Sequence, residues 1–258
     1  MTAQVIAGQH ALVTGANRGI GASVARTLAA AGTSVTLMVR DRSAAERVAA
    51  ELPGRSQVVV VGDISDRDAV RRAYAAAADA LGPVDILVNN AGSVETVPFL
   101  RADPALFTQM FGVHVMGAVH TAQAVLPAMI ERGRGRIVNV ASIAGLHGAP
   151  YVAHYVAAKH ALVGLTRALA MEFASKGITV NAVCPGYTET DLVSESLARI
   201  SAKTGRDTDE AKRMILADAG QPRMVLPQEV ADAVFAFCVP AAGATTGQTT
   251  ILMGLDTR

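Results

Sequence analysis

Tryptophan is absent from this 258-residue chain, aromatic residues make up only 4% of it, and cysteine occurs twice. Two cysteines, Cys184 and Cys238, cannot build a disulfide framework. Cys184 precedes Pro185 and Cys238 lies in an apolar run, so both read as small buried hydrophobes rather than reactive thiols. Charge is also scarce: 17% of residues are charged, and 23 Lys+Arg against 22 Asp+Glu leave a net +1. Lacking a basic excess or a run of like charges, the chain shows no nucleic-acid footprint. No stretch of 18 residues is uninterruptedly apolar, so no membrane span is predicted. Residues 1–7 have neither a basic n-region nor an apolar h-region and predict no signal peptide. A reducing cytoplasm is the expected compartment. What the chain does contain is apolar, at 51% of residues, which excludes a disordered protein and suffices for one substantial core.

Short apolar runs alternate with helical patterns from end to end. Strands are expected at 11–13, 35–39, 58–61, 85–88, 136–140, 178–183 and 251–253. Helices are expected at 20–31, 43–52, 66–81, from 103–104 onward, and at 151–175. Ser43 reads as an N-cap, Pro104 as a first helical residue, and Gly32, Pro53-Gly54 and Gly82-Pro83 as stops. Strands without polar alternation, separated by helices, mean a parallel sheet covered on both faces. The expected fold is therefore α/β, a Rossmann-type doubly wound sheet forming one domain over 1–258. The pattern breaks at 187–221, where Ser, Glu, Lys, Asp and Arg surround a helical stretch; this insertion reads as a small helical lid over a substrate site.

Between the first strand and first helix lies Thr14-Gly15-Ala16-Asn17-Arg18-Gly19-Ile20-Gly21, a glycine-rich turn suited to a pyrophosphate at a helix N-terminus. Asn89-Asn90-Ala91-Gly92 ends the fourth strand, Ser142 follows the fifth, and Tyr155 and Lys159 stand four apart on the next helix. Spacing i, i+4 puts those two side chains on one face. A phenol with a reference pKa of about 10 exchanges protons poorly at neutral pH, and a nearby ammonium would lower that value. No Cys/His/carboxylate spacing suits a closed metal site. In this order the motifs resemble the short-chain dehydrogenase/reductase family over nearly the whole chain, and the body of the 187–221 segment is similar to the 3-oxoacyl and polyketide ketoreductase branch.

That resemblance implies hydride transfer between a nicotinamide cofactor and a ketone or secondary alcohol. It implies that Tyr155 exchanges the proton, that Lys159 supports it and bonds the nicotinamide ribose, and that Ser142 bonds the substrate oxygen. The family often has an Asn in the helix after the fourth strand; the matching stretch here carries His114, read either as part of a proton relay or as a packed histidine. Asp63, with Ile64, is expected beside the adenine. Asn90, Ala91 and Gly92 are expected in the central crevice, and Pro185, Gly186, Thr188 and Thr190 around the carboxamide. For the cofactor, Asp41 lies near the distance of a ribose-binding acid. Aligned on Gly32, however, that acid falls on Val39, and Arg40 with Arg18 suits a 2′-phosphate, so NADPH is expected over NADH. The cations Lys203, Arg206, Lys212 and Arg213 suit a 3-oxoacyl thioester on CoA or a carrier protein, although Gly254-Leu255 departs from the Gly-Gly of that branch. The alternatives are a dehydrogenase of a cyclic or aromatic secondary alcohol and a catalytically weak dinucleotide-binding protein. The resemblance and the low charge density imply a homotetramer.

Overall fold

The computed structural model describes residues 6–54, 57–205 and 207–255, with the side chains of Lys203 and Thr204 outside that description. In chain order the elements are β1 (His10–Thr14), α1 (Gly19–Ala30), β2 (Ser34–Val39), α2 (Arg42–Glu51), β3 (Gln57–Val61), α3 (Arg67–Leu81) and β4 (Ile86–Asn89). There follow α4 (Pro104–Phe111), α5 (Gly117–Arg132), β5 (Gly135–Val140), α6 (Ala153–Phe173), β6 (Ile178–Pro185), α7 (Asp191–Thr204), α8 (Thr208–Asp218), α9 (Pro227–Cys238) and β7 (Thr249–Leu252). All seven strands pair in parallel in the order β3-β2-β1-β4-β5-β6-β7. The order reverses between β1 and β4, which opens a crevice at the strands' C-terminal ends.

Two apolar layers hold the sheet. Val24 and Leu28 of α1, Val48 of α2 and Val230, Val234 and Phe237 of α9 cover one face; Val70 and Ala73 of α3 and Val125, Leu126 and Met129 of α5 cover the other. The inner strands β1, β2, β4, β5 and β6 bury side chains on both faces, which is why they read as nearly unbroken apolar runs, whereas the edge strands β3 and β7 are only partly covered. Helix starts follow local chemistry: Asp66 accepts the N–H groups of Asp68 and Ala69, and Asp103 accepts that of Ala105 ahead of Pro104.

Several expectations are corrected. The cap of α2 is Asp41, which accepts both the N–H and the hydroxyl of Ser43. Tyr151 lies outside α6 with a left-handed φ of 65°. The 187–221 segment folds as two helices, α7 and α8, and α9 was not anticipated at all. The run Pro104–Arg132 is long and apolar enough by length and composition to cross a membrane, and its α5 part packs against the sheet through Val125, Leu126 and Met129. It is interrupted by a π-turn at Gly112–Met116.

Candidate active site

The glycine-rich turn is pinned from the β4 side. The Thr14 hydroxyl accepts the N–H groups of Asn90 and Ala91 at 3.0 Å each, and the Asn90 amide donates to the carbonyls of Thr14 and Gly15 at 3.0 and 3.2 Å. Gly15 is left-handed with φ 64°, a conformation that strains a side chain. A Cβ at Gly21 would lie 2.3 Å from the Gly15 carbonyl oxygen, so the turn closes only around glycine there. Arg18 caps α1 without a side-chain hydrogen bond, so among the described residues the cap side chain leaves the first N–H groups of the helix open. This cradle fits the pyrophosphate of a dinucleotide.

Past β5, Ser142 caps a short 3-10 turn, its Oγ accepting the Ala144 N–H at 3.1 Å. Tyr155 and Lys159 project from the first turns of α6, and the Ser142 side chain lies close enough to the Tyr155 phenol to act on its pKa. Lys159 is only 4% exposed. Its Nζ donates to the Val140 carbonyl at 2.8 Å and lies 5.6 Å from the centre of the Tyr155 ring. Burial pushes the Lys159 ammonium down to about 8. Burial also pushes the Tyr155 phenol up to about 12, with the Ser142 side chain pulling the other way. The lowered phenol expected from the neighbouring lysine is thus not found in this pocket, where desolvation is the largest influence on the phenol. At neutral pH the phenol is protonated, a donor.

His114 sits in the π-turn, 4% exposed, edge-on to the Tyr155 ring with centroids 5.3 Å apart. Its Nε2 lies 2.8 Å from the Ser93 carbonyl oxygen. A carbonyl only accepts, so Nε2 carries the proton and Nδ1 is a bare acceptor. Nδ1 is buried without a hydrogen-bond partner among the described residues. Burial, then the Lys159 charge, push the imidazole down to about 3, so the ring is neutral near pH 7. His114 and Lys159, with Thr14, Asn89 and Val140, line a small internal cavity with room for about one water.

The sequence model of the short chain dehydrogenase family matches residues 9–200. The chain belongs to the short-chain dehydrogenase/reductase family. It is 38% identical over 243 residues to a putative ketoacyl reductase of Streptomyces coelicolor, covering 92% of this chain and 93% of that one. It is 36% identical over 242 residues to galactitol 2-dehydrogenase (L-tagatose-forming) of Cereibacter sphaeroides, covering 93% and 91%. Among solved structures it is similar to a single-substitution variant of actinorhodin polyketide ketoreductase with NADPH, with a TM-score of 0.91, 36% identity and 98% of each chain covered. This short-chain dehydrogenase/reductase is therefore an NAD(P)-dependent oxidoreductase acting on CH–OH and C=O groups.

The remaining expected cofactor residues of this short-chain dehydrogenase/reductase divide into those the fold brings to the crevice and those it turns elsewhere. Arg18 pairs with Glu195 of α7 at 2.8 Å, and both side chains are half exposed. Arg40 is exposed at the end of β2, and its charge lowers the Asp63 carboxyl further after the Ser65 hydrogen bonds. Asp63 itself shapes a turn, accepting the N–H and hydroxyl of Ser65. Ile64 is buried, and a Cβ at Gly117 would lie 2.8 Å from its Cδ1. Asn17 is half-buried within the turn, and Ile20 packs on the core. The side chains of Asn90 and Thr14 hold the turn rather than facing outward, and Gly92 packs against the His114 ring. Pro185 ends β6. Thr188 turns inward, donating to the Gly186 carbonyl at 3.1 Å, whereas Thr190 caps α7 and brings its methyl against Gly19. Of the four cap cations, Lys212 pairs with Glu189 at 3.6 Å and Arg213 is exposed; Arg206 and the Lys203 side chain lie outside the described residues.

Sequence reasoning missed Thr14, Glu195 and Gln221. A hydroxyl at the end of an apolar strand was a readable sign for Thr14. Glu195 had none, being 177 residues from Arg18 along the chain.

Proposed function

We propose that this enzyme reduces a ketone with NADPH, and that its natural ketone is a 3-oxoacyl thioester on CoA or a carrier protein. The observation that carries the catalytic reading is the convergence of the Ser142 hydroxyl, the protonated Tyr155 phenol and the buried Lys159 at the C-terminal end of β5. The dihydronicotinamide supplies the hydride when bound. Ser142 orients the carbonyl oxygen, and Tyr155 donates the proton to that oxygen as charge develops on it. Lys159, with a pKa of about 8, stabilises the resulting phenolate and can return a proton to it near neutral pH. His114 acts as a fixed acceptor: a water in the adjoining cavity, accepting from Lys159 and donating to Nδ1, would hold the ammonium in place.

NADPH over NADH is supported by the two cations at the far end of the crevice, Arg18 and Arg40. It is supported further by Val39, which is buried, and by Asp41, whose carboxylate is engaged in capping α2. The turn residues Gly15, Gly19 and Gly21 would hold the pyrophosphate, and Gly186 and Thr190 would lie at the carboxamide. The thioester reading is supported by likeness to the putative ketoacyl reductase and to the polyketide ketoreductase. We read α7 and α8 as the substrate lid. A second reading, oxidation of a secondary alcohol, is favoured by likeness to galactitol 2-dehydrogenase. The proposal includes a cytoplasmic homotetramer, supported by few charges and by exposed Met116, Ile130 and Met171 along the π-turn, α5 and α6. The test is cofactor-linked reduction of acetoacetyl-CoA. NADPH oxidation well above that of NADH is expected; NADH turnover as fast, or turnover only with an alcohol and the oxidised cofactor, would overturn the first reading.

A further inference from the structure

The chain leaves the sheet at Pro185, builds α7 and α8, and returns through Gln221 to Val225; the two roots of this excursion meet on one buried side chain. Gln221 is 4% exposed. Its Oε1 accepts the Tyr187 N–H at 2.9 Å, and its Nε2 donates to the carbonyls of Tyr187 at 2.8 Å and Arg223 at 2.7 Å. One amide thus satisfies both main-chain polar groups of Tyr187 and ties them to the returning strand. The clasp continues outward: Val225 N–H donates to the Tyr187 carbonyl and Glu189 N–H to the Val225 carbonyl, each at 2.9 Å. Gly186 makes room for it, since a Cβ there would lie 2.3 Å from Gln221 Oε1. Beyond the clasp, Tyr187 sits close enough to Tyr155 to raise its pKa, and Thr190 rests on Gly19 of the glycine turn.

We propose that Gln221 is a positioning residue for the reaction: by clasping the Tyr187 main chain it sets the 186–190 segment against the glycine turn and the Tyr155 hydroxyl, governing placement of the nicotinamide end and the ketone rather than capture of the adenosine end. This rests on the reading of the crevice as a nicotinamide–ketone site. A primary amide is suited to the task because it offers a donor and an acceptor side by side, matching the N–H and C=O of an extended residue.

Gln221→Leu keeps the bulk and removes all three bonds. Gln221→Glu keeps the shape and the acceptor but aims a carboxylate at two carbonyls; protonation restores one donor, and burial raises the pKa of that carboxyl. With acetoacetyl-CoA as the probe ketone, Gln221→Leu is expected to lose at least about tenfold in kcat with a raised KM, while NADPH affinity by fluorescence stays within about threefold. The Gln221→Glu to wild-type activity ratio is expected to rise as pH falls from about 8 to about 6, with the Gln221→Leu ratio flat. Tyr187, Asp218, the Glu189–Lys212 pair and the Arg223–Glu229 pair surround the clasp and are common to the proteins, so they cancel in the ratio. Wild-type kcat and KM in folded Gln221→Leu, or a flat Gln221→Glu ratio, overturns the proposal; if Gln221→Leu does not fold, the Gln221→Glu ratio alone decides. Inactivity of the wild type with acetoacetyl-CoA would count against the thioester reading instead. Amide hydrogen exchange of residues 187–190 then decides the clasp: exchange at least about tenfold faster in either variant supports it, and unchanged exchange overturns it.

Discussion

His114 makes the acid sensitivity of this enzyme calculable. In the folded chain burial and the Lys159 charge hold the imidazole down at about 3, against an ordinary value of 6.5. Below pH 6.5 the unfolded chain takes up a proton that the folded chain refuses, so the contribution of His114 is fully present above 6.5 and is lost as pH falls toward about 3. Each unit is worth about 1.4 kcal/mol, so lowering the pH from about 8 to about 5 removes about 2 kcal/mol. That figure depends on the unfolded value and holds wherever the folded value lies below 5. It corresponds to a drop of about 4–8 °C in Tm for a chain of this size. The perturbation is His114→Asn, which removes the titration while keeping a polar side chain. The variant is less stable overall, because the ring packs directly on Gly92. Only the pH dependence is diagnostic. Urea denaturation of both proteins at the two pH values measures it, and His10, also lowered by burial, cancels because both proteins retain it. If wild type and His114→Asn lose the same stability on acidification, the buried neutral imidazole, and with it the fixed-acceptor role beside Lys159, is refuted.

Tyr155→Phe is expected to bind NADPH as wild type does and to lose turnover by at least about a hundredfold, since it lacks the proton that Ser142 helps orient; measurable activity near the wild-type level would remove Tyr155 from the mechanism. Arg40→Ala is expected to weaken NADPH by about tenfold or more and NADH hardly at all, following the energy of a hydrogen bond to a charged group; titration calorimetry showing equal effects would withdraw the NADPH preference. Tyr151→Gly is expected to raise Tm by about 1–4 °C, because φ 65° strains a tyrosine by about 1–2 kcal/mol and glycine returns about half of that as unfolded-chain entropy; a lower Tm in scanning calorimetry would mean that the exposed Tyr151 ring makes contacts worth more than the strain.

The parallel sheet was legible because strands buried on both faces need uninterrupted Val, Ile and Leu, and the helices between them announce themselves through Asp66, Asp103-Pro104 and Gly82. The glycine turn and the Tyr155–Lys159 pair were legible for the same reason: both are local, within one turn or one helical repeat. Contacts across the sequence were not. Local signals could also compete: Asp41 and Ser43 are both capping types two residues apart, and the folded chain gives the cap to Asp41, while α9 lay hidden because its Leu226–Glu229 start lacks a Ser, Thr or Asn signal. Tyr151 read as helix because its left-handed φ is set by the loop it closes, whose Val97 N–H donates to the Tyr151 carbonyl at 2.8 Å. Sequence alone singled out Ser142, Tyr155 and Lys159, the side chains proposed to carry the chemistry. Only the tertiary structure decided their protonation, since desolvation depends on every wall of the pocket: burial holds the His114 imidazole down at about 3 and pushes the Tyr155 phenol up to about 12. It also brought Gln221 to Tyr187, across 34 residues, where one amide closes the base of the cap.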